Sequence, residues 1–246
     1  MIRRTKHIYL NIFGVLFIYL ILNFGNSFSK KKQQENHPPS VKILSPKNNS
    51  LFNFDTQINY QISVADKEDG DSKYDEINGK EILLEVRHVS KLPAILNKGV
   101  QADPAGIAIM RTSNCFNCHN FNGKAIGPSL YEINKKYPAT KPNIDTLIKH
   151  ISKGSSGTWG KEKMPTHKEL TNEEIKSTVL WIVNHAADPD VNYYIGAAGS
   201  FRIKPPIASK SNGIYVLTAS YIDRGLKNEP GKQRLKGEDV AVIRSK

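Results

Sequence analysis

The feature that most constrains this chain is Cys115-Phe116-Asn117-Cys118-His119. Two cysteines stand two residues apart with a histidine directly after, and they are the only cysteines in 246 residues. C-x-x-C-H is the pattern on which haem c is attached. Each thiol forms a thioether with one vinyl group, and the adjacent imidazole reaches the iron from the proximal side. The spacing follows from the chemistry, because two thiols and a ring nitrogen must meet one rigid macrocycle at three points. A structural zinc site would need two further ligands from a matching pair, and no other cysteine exists to supply them. A thioredoxin-like redox pair would need a βαβ setting, which does not surround these residues. The expectation is one covalent haem c, with its iron, per chain.

The N-terminus reads as an export segment. Arg3, Arg4 and Lys6 precede an apolar run from Ile8 to Phe24, interrupted by Asn11, Gly14 and Asn23. Ser27-Phe28-Ser29 then offers small residues at the spacing a signal peptidase uses. Residues 1–29 are therefore expected to be a cleaved signal peptide or an uncleaved membrane anchor. The run is slightly short of the roughly 20 apolar residues of a relaxed span. No cysteine follows it, which excludes a lipid-modified N-terminus. Both readings put the remainder in the periplasm or another extracytoplasmic space, secreted or membrane-anchored, where bacterial haem c attachment also takes place.

Charge narrows the partners. The chain carries a net +12, and +9 remains when the three leader cations are set aside. Such a surface favours acidic partners: nucleic acid, anionic membrane or an acidic redox protein. No aromatic–basic interleave or nucleic-acid module accompanies it, so nucleic acid is discounted.

Taken in order, 30–39 (KKKQQENHPP) reads as a polar linker, disordered or extended. Residues 40–92 read as a small β module. Val41 to Leu44 forms one strand; Ile58, Tyr60, Ile62 and Val64 alternate with polar residues; Ile82, Leu84 and Val86 alternate again after the Asn78-Gly79 turn. With its D-x-E-D-G loop at Asp66 to Gly70, the module resembles the immunoglobulin-like modules of bacterial extracellular proteins. The loop offers oxygen ligands of the kind calcium takes. The plainer alternative is a solvated loop, and no EF-hand pattern is present.

Residues 100–187 read as helical. Asp103-Pro104 gives a cap and a first-position proline. Ser129/Glu132 and Thr171/Glu174 form two capping boxes. Leu130, Ile133 and Tyr137 share a face, as do Ile144, Leu147, Ile148 and Ile151 on a helix closed by Gly154. Ile175, Val179, Ile182 and Val183 point inward from the last helix.

Five elements in one order carry a second resemblance: Cys115 to His119, Gly127 to Leu130 (GPSL), Gly157 to Gly160 (GTWG), Met164-Pro165, and Trp181 to Val183. Residues 103–187 resemble the small bacterial class I cytochromes c, whose fold is a few helices around one haem. The resemblance implies that Cys115 and Cys118 hold the haem and that His119 is the proximal iron ligand. It implies that the Pro128 carbonyl accepts a hydrogen bond from His119, that the Trp159 indole binds a haem propionate, and that Met164 is the distal ligand. The distal position can also be argued from the residues alone. Met1 lies in the leader and Met110 precedes the motif on the same segment, where core packing is its natural role. Met164 follows a flexible loop that lets it return to the far face. His167 is its rival, and His150 a second.

Beyond Ala186 the pattern turns to β. Gly199 to Ile203 forms a strand before Pro205-Pro206; Tyr215, Leu217, Ala219 and Tyr221 alternate, as do Val240 and Val242. Three strands alone would bury too little, so 188–246 is expected to pack on the haem unit or the N-terminal module. Gly213 to Gly225 and Gly237 to Arg244 resemble the β segment after the cytochrome unit in multidomain sugar dehydrogenases of the pyrroloquinoline-quinone type. The fold class expected is therefore multidomain α plus β. An all-α class I cytochrome c unit is flanked by an N-terminal immunoglobulin-like β module and a short C-terminal β segment.

Function follows from one saturated haem. A six-coordinate iron with His and Met leaves no position for substrate, which reads as a one-electron carrier and not an enzyme. A peroxidase of the two-haem type would need a second C-x-x-C-H. The partners expected are a periplasmic dehydrogenase as donor and an oxidase or another cytochrome as acceptor. The alternative is a haem-containing accessory or binding module of an extracellular sugar-oxidising or glycan-binding system. Tyr215 and Tyr221 would be its aromatic platform, or else simply core.

Overall fold

Alternating hydrophobicity in the β stretches produces two packed sheets. The computed structural model describes residues 35–92, 100–205 and 213–246. The export segment 1–29 lies outside the described residues, as do 30–34 of the linker and Pro206 of the Pro205-Pro206 pair. The first sheet is centred on β3 (Gln57–Asp66). On one edge β3 pairs with β1 (Ser40–Ser45), and on the other with β4 (Gly70–Asp71) and β7 (Ala198–Arg202), all antiparallel. The second sheet runs in the order β2 (Ser50–Phe52), β11 (Lys236–Ser245), β8 (Ile214–Ile222), β5 (Leu83–Val89), β6 (Val191–Ile195). Only β2 with β11 is parallel. A two-residue ribbon, β9 (Gly225–Leu226) with β10 (Glu229–Pro230), caps one end.

Strands from before and after the helices thus share both sheets. The sequence reading keeps 40–92 and 188–246 as separate stretches, whereas β7 completes the first sheet and β5 sits between β6 and β8 in the second. The physical reason is burial. Side chains at i and i+2 share a face, so Ile58, Tyr60, Ile62 and Val64 of β3 meet Leu84, Val86, Leu217, Ala219 and Tyr221 of β5 and β8 in one core. Neither stretch has enough strands to close that core alone. Tyr215 and Tyr221 are buried here, which makes them core residues and not an exposed platform.

The helices pack on the outer face of the second sheet. Leu83, Val191 and Tyr193 point away from the sandwich core and join the helical cluster. Phe121 stacks on Tyr193 at 4.7 Å between ring centroids, and Trp181 meets Tyr193 edge-on. The helices are α1 (Ala105–Thr112), α2 (Leu130–Lys136), α3 (Lys141–Lys153) and α4 (Asn172–His185). Both expected capping boxes form: Ser129 and Glu132 open α2, and Thr171 and Glu174 open α4. The expected inward residues Ile175, Val179, Ile182 and Val183 are all buried.

Where α1 crosses α4 the two backbones touch. A Cβ on Gly106 would collide with Trp181 Cβ and stand 2.8 Å from Ser177 O. Near the end of α4, Asn134 of α2 donates 2.9 Å bonds to the carbonyls of Ile182 and Val183. Ile182 O also accepts from the Ala186 N–H at the end of its own helix; the last carbonyls of a helix lack such a partner, and at Val183 O Asn134 acts as a cap supplied from another helix.

One local expectation is corrected. Asp103 does not cap α1, whose N-cap is Pro104 and makes no side-chain bond. Its carboxylate instead pairs with Arg111 and Lys236, both at 2.7 Å. Ion pairing to two cations outweighs one helix cap. The described part of the linker is also tied down: Asn36 bonds Asp223, and His37 bonds Glu68.

Arg111 fastens the helical unit to the sandwich. With its side chain 3% exposed, it bonds Asp103, both oxygens of Ser220 on β8, and the carbonyl of Glu81.

Candidate functional site

The Cys-x-x-Cys segment winds as one short helical turn, Cys115–Asn117, entered through Asn114 in the left-handed region at φ 58°. The turn carries Cys115, Cys118 and His119 to one wall of a cavity of about 300 Å³. The main chain fixes it there. His119 N–H donates to Cys115 O at 3.0 Å, and Gly127 N–H donates to Cys118 O at 2.8 Å. The two cysteines do not form a disulfide with each other and are half-buried. Burial pushes the Cys115 thiol up to about 11, which favours the neutral thiol over the thiolate.

His119 has a defined tautomer. Its Nδ1 lies 2.7 Å from the Pro128 carbonyl, which can only accept, so Nδ1 carries the proton. Nε2 is left with its lone pair, the state in which imidazole binds a metal. Burial lowers the His119 pKa, the Pro128 bond opposes this, and the nearby His167 adds to the lowering. The ring is therefore kept neutral.

The loop after the motif contributes a residue that the sequence reading did not assign. A Cβ on Gly127 would stand 2.8 Å from His119 Cε1 and 3.1 Å from Nδ1. Only glycine lets Pro128 approach the imidazole closely enough to accept its proton. The signal was present in Gly127-Pro128, but it acquires meaning only once the ring is seen above it.

Further lining of the cavity comes from α3, α4 and the loop between them. Gly154 closes α3, and an isolated antiparallel bridge then joins Ser155 to Met164, with bonds of 3.1 and 2.9 Å. Trp159 lies within this loop, with Lys136 Nζ 4.7 Å from its ring centroid. Met164, Trp159, Pro128, His167 and His150 all line the cavity. So does Met110, which is buried in the helical core as expected. The site residues expected from the sequence are thus brought together around one space, both rival histidines included.

The residues present fit a haem. The wall is mostly apolar, with Met110, Leu130, Ile133, Leu147, Val179 and Ile182 excluding water. Two thiols and a neutral imidazole line it, and a thioether is available from another segment. One polar atom in the lining is orphaned: Thr178 Oγ1 is buried and makes no hydrogen bond among the described residues. A bound haem supplies one-electron chemistry between ferric and ferrous iron. The chain supplies the thiols, the oriented imidazole and a dry surround.

Comparison with known proteins agrees with this geometry. Residues 105–186 match the family model described as Cytochrome c. Cytochrome c-552 of Hydrogenobacter thermophilus is 34% identical over 76 residues, covering 31% of this chain and 76% of that protein. Cytochrome c-551 of Stutzerimonas stutzeri is 35% identical over 79 residues, covering 32% and 75%. Cytochrome c-552 of Nitrosomonas europaea is 32% identical over 90 residues, covering 37% and 85%. The matched region is the helical unit, and the β regions lie on both sides of it. The chain belongs to the cytochrome c family, as a mono-haem c-type electron carrier whose haem is bonded to Cys115 and Cys118.

Proposed function

We propose that the iron is held between His119 Nε2 and the Met164 thioether, and that the protein passes single electrons between redox proteins outside the cytoplasm. The observation that carries this reading is the cavity itself. His119 and Met164 both line it, and Met164 is pinned by two main-chain bonds to Ser155. A neutral imidazole and a thioether favour ferrous iron and raise the potential. Pro128 would tune it further by holding the Nδ1 proton, which sets ligand basicity. Trp159, braced by Lys136, would offer its indole N–H to a propionate.

His167 supports a second reading of the distal ligand. It lines the same cavity. Its Nδ1 is engaged by Glu169 at 2.8 Å, which leaves Nε2 for a metal. The two readings separate by mutation. Met164→Ala should abolish the sulfur-to-iron absorption band of the oxidised protein, admit small ligands and lower the potential. If Met164→Ala leaves band and potential unchanged while His167→Ala alters both, the methionine assignment is wrong.

The donor we favour is a periplasmic dehydrogenase, in keeping with the layout resembling quinoprotein sugar dehydrogenases; an oxidase or another cytochrome would accept. Lys124, Lys161 and Lys163 are exposed on loops that border the cavity, where they would steer an acidic partner. Reduction by a donor dehydrogenase in stopped flow should slow as salt shortens the screening length to about 8 Å. A rate indifferent both to salt and to Lys161→Glu with Lys163→Glu would remove the steering claim.

A further inference from the structure

The loop after β3 holds a group of carboxylates that the haem does not use. Asp66 ends β3, Asp69 follows in the turn, and Asp223 comes just after β8. Asp66 is 8% exposed and Asp223 1%. None of the three is paired with a lysine or arginine side chain among the described residues. Their partners are N–H groups, the Asn36 amide and a hydroxyl. Asp66 Oδ1 accepts from Glu68 N and Asp69 N. Asp223 Oδ1 accepts from Gly225 N and Leu235 N, and its Oδ2 from Asn36 Nδ2. Asp69 Oδ2 accepts from Tyr221 Oη and Arg224 N.

Two oxygens are left over. Asp66 Oδ2 and Asn36 Oδ1 are both buried and make no hydrogen bond among the described residues. Asn36 cannot be turned round to cure this, because its nitrogen already donates to Asp223 and to Gln233 O, at 2.8 and 2.7 Å. Both orphans border Asp223: Asn36 through its hydrogen bond, and Asp66 through the repulsion between their charges. Burial and the charges of Asp69 and Asp223 raise the Asp66 pKa against the two N–H bonds that lower it. A buried carboxylate beside like charges lacks a positive partner, and here an unmatched carboxylate oxygen and an unmatched amide oxygen both neighbour Asp223.

We propose that Asp66 Oδ2, Asn36 Oδ1 and Asp223 bind a hard divalent cation, calcium in preference to magnesium. No group of three His, Cys, Asp or Glu side chains among the described residues is arranged to hold a metal, so this is not a chelate of side-chain carboxylates alone. Calcium takes six to eight oxygens at about 2.3–2.6 Å, readily including amide and main-chain carbonyls and water. Asp69, committed to Tyr221 and Arg224, contributes field from behind. The ion would join three segments: the stretch before β1, the end of β3 in the first sheet and the turn after β8 in the second.

The test uses the full haem-loaded chain stripped with chelator and titrated with calcium chloride in a calorimeter. One site should saturate with a Kd of about 0.1–1 mM, the range of extracellular modules. At 10 mM calcium the melting temperature should rise by roughly 3–10 °C, and less with magnesium. Asp66→Asn should weaken binding at least tenfold, yet melt in chelator no lower than the parent, because its amide oxygen can keep both N–H bonds while the repulsion is relieved. No heat and no shift up to 10 mM calcium overturns the proposal. So does a calcium response that Asp66→Asn retains, or an Asp66→Asn variant whose only change is a lower melting temperature with and without calcium.

Discussion

Gly127→Ala adds one methyl group where the structure has no room for it. Two carbon atoms in good contact lie about 3.5–4.0 Å apart, and the new Cβ would be 2.8 Å from His119 Cε1. The overlap is therefore roughly 0.7–1.2 Å. The imidazole cannot yield freely, since its Nδ1 is already 2.7 Å from Pro128 O and its main chain is bonded to Cys115. Overpacking of this kind costs about 1–3 kcal/mol, or roughly 3–10 °C in melting temperature for a chain of this size. The ring should also swing from Pro128, weakening the bond that raises ligand basicity, and the reduction potential should rise. The control is Gly123→Ala. Gly123 has φ +74° and nothing within 4 Å, so alanine there costs about 1–2 kcal/mol in backbone strain without touching the imidazole. Melting curves and redox titrations of the two variants make the comparison. If Gly127→Ala matches the parent in both, or if Gly123→Ala shifts the potential equally, the close-approach argument fails.

Arg111→Met should cost about 3 kcal/mol in urea unfolding, because a buried pair is broken and Asp103 keeps only Lys236. Adding Asp103→Leu should recover at least half, and a single-variant cost under about 1 kcal/mol would show that the network does not brace the two parts. Burial alone would raise the Asp103 pKa, but the Arg111 charge and Lys236 hold it below the ordinary aspartate value of about 3.9. Its stabilisation is thus complete above that pH and lost as pH falls through the lower folded value; the parent should lose stability more steeply below about pH 4 than Arg111→Met does. Thr178→Val, which removes the orphaned hydroxyl at constant shape, should leave stability equal or raise it by about 1 kcal/mol. A loss in the haem-loaded protein would mean that the hydroxyl has a partner in that state.

The helical unit was legible because its signals are local. The attachment motif spans five residues, each capping box spans four, and the apolar faces repeat within two turns. The site needed little more, since Cys115, Cys118, His119, Pro128, Trp159 and Met164 all line one cavity. The sandwich was legible strand by strand but not as a sandwich. β5 pairs with β6 about a hundred residues later, as in Arg87 with Val191, and nothing in either strand names so distant a partner. Arg111 and Asp103 were hidden for a similar reason. A cap signal at Asp103 is local, whereas Lys236 and Ser220, which complete the network, reach it only through the finished fold. Gly106 carried no reading and Gly127 only its place in the GPSL element, because a missing side chain reports contacts that only the assembled backbones reveal.

The adjacency of β5 and β6 has a mechanical meaning. The chain leaves the second sheet at Val89 and returns at Val191 on the neighbouring strand, with His88 N–H bonded to Asp190 O at 2.8 Å. The haem-bearing helices are thus a long excursion from a hairpin, clamped at both ends within one strand spacing. A unit hung by a single tether can swivel; one held at two neighbouring points and bolted by Arg111 cannot. The helical unit therefore keeps a constant attitude toward the sandwich. The same clamp makes the excursion a removable cassette. Closing Val89 onto Val191 with a short turn would leave both sheets with every strand they now have.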